Sequence, residues 1–189
     1  MYKVIAICGK AGSGKDTIMK KVLAARPSGN LHEIVSHTTR PMRQGEHDGI
    51  NYHFCSNKEF AELVANGKML ESTCFNNWFY GTSLAGLDEN KINIGVFNPA
   101  GIDALDRNPD VDCWVYYILA TPKTRLLRQL NREENPDVFE IIRRFQTDNA
   151  DFSKLDFAFE SLENETEGDL EEAVKTIVGR FDELNSQKT

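Results

Sequence analysis

Gly9-Lys-Ala-Gly-Ser-Gly-Lys15 brings three glycines and two lysines together in seven residues, directly after an apolar run and ahead of a helical pattern. Glycines let successive backbone N–H groups turn inward around a phosphate, and the start of the next helix adds its positive end. A lysine at the seventh place reaches the outer phosphates of a nucleotide. The strand–loop–helix context is the one this motif requires, so the spacing predicts nucleotide binding by Gly9, Lys10, Ala11, Gly12, Ser13, Gly14, Lys15, Asp16 and Thr17. The eighth place departs from the pattern, which has Ser or Thr to hold Mg²⁺; here it is Asp16, with Thr17 beside it. A carboxylate about 4 Å from a phosphate charge is repelled by roughly 4 kcal/mol at an effective dielectric of 20. Mg²⁺ between them would relieve that, and carboxylate oxygens are good Mg²⁺ ligands. Two readings of Asp16 stand side by side: a Mg²⁺ ligand, direct or through water, and a helix cap.

A second anion site is suggested by Ser36 through Phe54, where Arg40 and Arg43 flank Pro41-Met42 and lead through Gly45 and Gly49 to Tyr52. Two isolated arginines are ordinarily surface charges. In a compact loop, their planar forks can share the oxygens of one monophosphate.

With Gly67-Lys-Met-Leu-Glu71 and Phe79-Tyr-Gly-Thr-Ser83 added, the chain resembles the guanylate kinases over nearly its whole length. Weaker similarity continues through Ala120-Thr-Pro122, Arg128, Arg132 and Arg143. The resemblance implies a P-loop α/β kinase fold: a mostly parallel sheet flanked by helices, an inserted GMP-binding lobe and a helical lid. It divides the single domain into a core (1–35, 84–122 and 149–189), a nucleoside-monophosphate lobe (36–83) and a lid (123–148). It implies that Arg40, Arg43, Tyr52 and Tyr80 hold the GMP phosphate and that Ser36, Glu71 and Thr82 contact its base. Chemistry supports the base assignment: guanine offers donors at N1 and N2 to a carboxylate, whereas adenine offers an acceptor and a C–H. Lys15, Arg128, Arg132 and Arg143 would act on the transferring phosphoryl group, with Arg144 one residue from such a position. The implied reaction is ATP + GMP (or dGMP) → ADP + GDP (or dGDP), with Mg²⁺ accompanying ATP and no covalent enzyme intermediate.

Departures from the family pattern fall at Val96 and Asn98, where family acids are expected, and near Ser161, where the family often has Asn. The first implies a lost or altered contact to Mg²⁺ or nucleotide, for which Asp16 could compensate. Three alternatives remain open: a deoxynucleotide kinase of broader specificity, a ribose bisphosphate phosphokinase, and a non-catalytic module of the same fold that binds peptides.

These residues need a scaffold, and the patterning predicts one. Lys3–Cys8, Ile92–Phe97, Val111–Ala120 and Phe157–Phe159 read as strands separated by helical or loop sequence, the signature of a parallel sheet with helices on both faces. Ile18, Val22 and Ala25 recur at helical spacing after the loop, and Arg26–Gly29 ends that helix. Leu170, Ala173, Val174, Ile177, Val178, Phe181 and Leu184 form the apolar stripe of a last helix, with Asp169 expected at its cap and Glu172 three residues on.

At 189 residues, with 40% hydrophobic and 27% charged residues, the composition is that of a globular domain and excludes a disordered or collagen-like chain. No stretch approaches a membrane span, so the expectation is a soluble, cytoplasmic protein without a membrane partner. The net charge of −7 sits in residues 151–189, which hold 11 acids and 4 bases; the rest balances at 18 against 18. A neutral front argues against a nucleic-acid partner. Cys8, Cys55, Cys74 and Cys113 lie far apart without metal-ligand spacing, as expected of reduced thiols.

Overall fold

The opening apolar run is a strand buried on both faces, β1 (Tyr2–Cys8). The structure, a computed structural model, describes residues 1–187 other than Ser28, Arg43, Gln44, Asn76 and Glu133, with only the backbone of Phe75. Val4, Ala6 and Cys8 turn to one side, against Ile34, Leu87, Phe97, Ile102 and Leu105. Ile5 and Ile7 turn to the other, against Ile18, Val22, Ile177 and Phe181. An apolar side chain at every position from Val4 to Cys8 is what a parallel strand covered by helices on both sides requires.

The chain continues through α1 (Lys15–Ala25), β2 (Leu31–Glu33), β3 (His37–Thr38), β4 (His53–Phe54), α2 (Asn57–Ala65), β5 (Met69–Phe75) and β6 (Trp78–Ser83). There follow β7 (Ile92–Val96), α3 (Pro99–Asp106), β8 (Val111–Leu119), α4 (Pro122–Leu130), α5 (Val138–Asp151), β9 (Glu160–Glu163) and α6 (Glu167–Ser186). Among the described residues, five strands form one sheet in the order β2-β7-β1-β8-β9, with every neighbouring pair parallel. Four more form a separate mixed sheet, β4-β3-β6-β5. The expected α/β architecture is therefore observed, including a small second sheet within residues 36–83.

β1 is central, between β7 and β8, so the strand order reverses around it. The carboxyl end of such a strand opens into the crevice where α/β proteins bind ligands. The residue after Cys8 is Gly9, which sets the glycine-rich loop in that crevice.

Three local expectations are corrected. The last strand is Glu160–Glu163 rather than Phe157–Phe159. As an edge strand pairing only β8 it needs no continuous apolar run, and Phe159 instead packs edge-on against the Tyr117 ring, 5.5 Å between centroids. The cap of α6 is Thr166, not Asp169. Asp169 takes the third helical position and closes a capping box by accepting from Thr166 N at 2.8 Å. In α1, Met19 is buried and Ala25 is exposed, because the face that meets the sheet runs through Ile18, Met19 and Val22. The cysteines are free, and burial pushes the Cys8 and Cys113 thiols up to about 12.

Candidate functional site

The loop Gly9–Lys15 is held from outside by its carbonyls and by one N–H, that of Ala11, which donates to Asp148 Oδ2 at 2.6 Å. Arg125 Nε donates to Ala11 O (2.9 Å), Arg128 Nη1 to Ser13 O (3.2 Å), and Asn164 Nδ2 to the same Ser13 O (2.7 Å). Carbonyls engaged from outside are the polarity a loop needs if its N–H groups are to meet an anion. Gly12 and Gly14 have φ of 80° and 92°, a left-handed backbone that other residues adopt only with strain. At Gly12 a β-carbon would also lie 2.5 Å from Arg125 O, so α4 lies directly on the loop. Gly14 caps α1, whose first residue is Lys15.

Lys15 is half-buried, with Nζ 3.6 Å from Asp16 Oδ2, while Asp16 is 70% exposed. Lys15 holds the Asp16 carboxyl below its ordinary value and Arg132 adds to the effect, against burial, so Asp16 is an anion at neutral pH. Thr17 is exposed beside it. A solvent-facing carboxylate at the mouth of a phosphate loop fits Mg²⁺, which commonly takes one or two protein carboxylates and completes its shell with phosphates and water. Among the described residues no group of three or more His, Cys, Asp or Glu side chains could hold a metal by itself.

The small sheet presents the second set. Glu71 and Thr82 are cross-strand partners on β5 and β6, and Ser36 Oγ lies 3.2 Å from Thr82 Oγ1. Burial raises the Glu71 carboxyl above its ordinary value, against its hydrogen bonds with Thr82, and Oε2 is buried with no hydrogen-bond partner among the described residues. Thr82 is fully buried. The Tyr52 and Tyr80 rings meet edge to face at 6.1 Å. Arg40 is 5% exposed; its guanidinium lies 5.5 Å from the Tyr52 ring centroid and donates to both oxygens of Glu46 at 2.7 and 2.9 Å. Arg43 lies outside the described residues.

Electrostatics ties the separate pieces together. Burial raises the Tyr52 phenol, and the charge of Asp16 raises it further, so the phosphate loop and the small-sheet lobe feel one another. Arg132, just beyond α4, acts on Asp16. Arg143 on α5 is raised chiefly by its hydrogen bond to Glu140, with Tyr80 among the further contributors. The charges of Asp16, Tyr52, Tyr80, Arg132 and Arg143 thus act on one another across loop, lobe and the α4–α5 pair.

Several of the expected residues have partners within the protein. Lys10 Nζ donates to Asn149 Oδ1 at 2.9 Å. Arg128 lies against loop carbonyls. Arg143 grips both Glu140 oxygens at 2.7 and 2.8 Å, and Arg144 shares that carboxylate at 2.9 Å; together they hold the Glu140 carboxyl down to about 2. Asn98 is the N-cap of α3, its Oδ1 accepting from Gly101 N at 2.7 Å, and Val96 packs against the core. Ser161 is an exposed residue of β9 paired with Tyr117; the asparagine at the loop is Asn164, which is 3% exposed. Sequence reasoning missed Arg125, Asp148 and Asn164. Only the dense charge of residues 123–148 hinted at the first two, and nothing in the spacing paired them.

A parallel sheet whose order reverses at β1, with a glycine-rich phosphate loop joining β1 to α1, defines a P-loop α/β protein. Within that class, the guanylate kinase family model matches residues 1–181, and the chain belongs to the guanylate kinase family. It is 32% identical over 145 residues to a guanylate kinase of Desulfotalea psychrophila, covering 75% of this chain and 70% of that protein. To the guanylate kinase of Schizosaccharomyces pombe it is 42% identical over 87 residues, 46% of this chain and 43% of that protein. The chain thus matches less than half the length of some of its relatives. The crystal structure of guanylate kinase from Anaplasma phagocytophilum shares the fold with a TM-score of 0.66 at 19% identity, covering 98% of this chain and 86% of that one.

Proposed function

We propose that this protein is a guanylate kinase that moves the γ-phosphoryl group of ATP to GMP or dGMP, giving ADP and GDP or dGDP. The observation that carries the reading is Glu71: a buried carboxylate with an oxygen lacking a partner among the described residues, beside Ser36 and Thr82, in a lobe whose Tyr52 feels the charge of Asp16 at the phosphate loop. A buried acceptor without a donor is costly. Guanine N1–H and N2–H supply two donors to it, while adenine leaves it unmatched.

In this reading residues 36–83 bind the acceptor, 123–148 form the lid, and 1–35, 84–122 and 149–189 are the core. Lys15 and the loop N–H groups other than those of Ala11 and Ser13, which donate to Asp148 and to Lys10 O, hold the donor phosphates; Tyr52, Tyr80, Arg40 and Arg43 hold the acceptor phosphate. An oxygen of that phosphate attacks the γ-phosphorus in line, its bond to the β–γ bridging oxygen breaks, and ADP leaves with the electron pair. Arg132 and Arg143 would offset charge on the equatorial oxygens as the lid closes and excludes water. Mg²⁺ arriving with ATP would be held in part by Asp16, and its chemistry is neutralisation of phosphate charge. Glu140 would store Arg143 in the open state, and Glu46 would set the orientation of Arg40 on Tyr52.

The direct test is ADP release with ATP and Mg²⁺ across GMP, dGMP, AMP, CMP and dTMP. Turnover confined to guanine acceptors is expected. Turnover of all acceptors alike would favour the broader deoxynucleotide kinase, and none by a folded protein would favour the non-catalytic module.

A further inference from the structure

Ala11, the third residue of the phosphate loop, has both backbone groups taken by one ion pair. Its N–H donates to Asp148 Oδ2 at 2.6 Å, and its carbonyl accepts from Arg125 Nε at 2.9 Å. Arg125 Nη2 then donates to the same Asp148 Oδ2 at 3.0 Å, which closes a ring of three bonds around a single residue. Arg125 is 3% exposed, and the Asp148 side chain is 15% exposed. The guanidinium also lies 4.4 Å from the centroid of the Phe145 ring, on the same helix as Asp148.

An ion pair this deep is a poor way to gain stability, because desolvation offsets most of the attraction. Its geometry is specific instead: Nε and Nη2 of a planar fork fix two acceptors at once, so the peptide planes on either side of Ala11 cannot rotate while the pair is intact. The partners come from different helices, Arg125 from α4 and Asp148 from α5. The Lys10–Asn149 bond and the Arg128 bonds to the loop carbonyls run between the same elements. The loop is thus tied to the two helices that carry Arg128 and Arg143 and lead to Arg132.

We infer that Arg125 and Asp148 are positioning residues that set the conformation of the phosphate loop through Ala11 and couple it to α4 and α5. The nucleotide-binding part of this inference rests on the reading of the protein as an ATP-dependent kinase; the loop-holding part does not.

Two measurements on the full chain separate these parts. Amide hydrogen exchange on Asp148→Ala and Arg125→Met should rise at least 10-fold in the peptide spanning residues 9–15, with β1, β7 and β8 protected as before. Equilibrium binding of ATP should weaken at least 10-fold in both variants, while GMP binding changes less than 2-fold. The double variant should lose no more than either single one, because both act through one ring of bonds. Asp148→Asn retains an acceptor oxygen for Ala11 N–H and should restore ATP binding to within about 3-fold of wild type. Exchange in residues 9–15 unchanged in folded variants would overturn the inference. So would equal loss of ATP and GMP binding, or strictly additive losses in the double variant. Should the wild-type chain bind neither nucleotide, the kinase reading fails, and the exchange experiment still decides whether the pair holds the loop.

Discussion

Glu71→Gln separates recognition from stability at one atom. Two charge-assisted bonds to guanine are worth about 1.5–3 kcal/mol each. Glutamine keeps one acceptor oxygen but turns an NH₂ donor towards the second guanine donor, so one bond is lost and the other becomes neutral, worth about 1 kcal/mol. The net loss is about 3 kcal/mol, or roughly 10²-fold in kcat/KM for GMP at 1.36 kcal/mol per tenfold. Stability should move the other way. Burial raises the folded-state pKa of Glu71, so its contribution favours folding below the unfolded value and is lost as pH climbs through the folded one. Glutamine carries no charge to bury, so the variant should gain melting temperature relative to wild type at pH 8 and little at pH 4. ADP-release kinetics with GMP and thermal melts at the two pH values read both effects. A kcat/KM for GMP within twofold of wild type, in a folded variant, would refute the role given to this carboxylate.

Lys15→Met should lower kcat about 10²–10³-fold, the usual cost of one group on developing phosphoryl charge, with the melting temperature held; single-turnover ADP release checks it. Asp16→Ser should raise the Mg²⁺ concentration for half-maximal rate several-fold, and a titration with an unchanged midpoint and rate would leave Asp16 no part in metal binding. Glu140→Gln frees Arg143 and Arg144 from their shared carboxylate and should cost about 1 kcal/mol, a fall of 2–4 °C in melting temperature at pH 7. The folded Glu140 pKa is depressed to about 2, so its contribution is present above the unfolded value and fades as pH falls towards 2; wild type and variant should converge in melts near pH 2.

The local chemistry of the site was legible because it is written in short spacings. The run Gly9–Lys15 forms its loop between β1 and α1, and the pairing of Glu71 with Thr82 follows from two strands of a hairpin. Misreadings arose where an edge or a cap relaxes the pattern. The edge strand β9 carries Glu and Ser where a buried strand would be apolar, and the cap of α6 lies three residues before the acid that closes its box. Arg125 and Asp148 stand 23 positions apart on two charged helices, where either charge could equally face water.

By itself the amino-acid sequence determined the runs that become β1, β7 and β8, the phosphate loop and the family, because backbone conformation and apolar periodicity depend on near neighbours. Tertiary structure alone decided which charges meet: that Arg125 and Asp148 close around Ala11, that Asn164 reaches Ser13, and that Glu140 holds Arg143 and Arg144. A charged side chain has many partners of equal merit along a chain, and only the packing of helices against the sheet chooses among them.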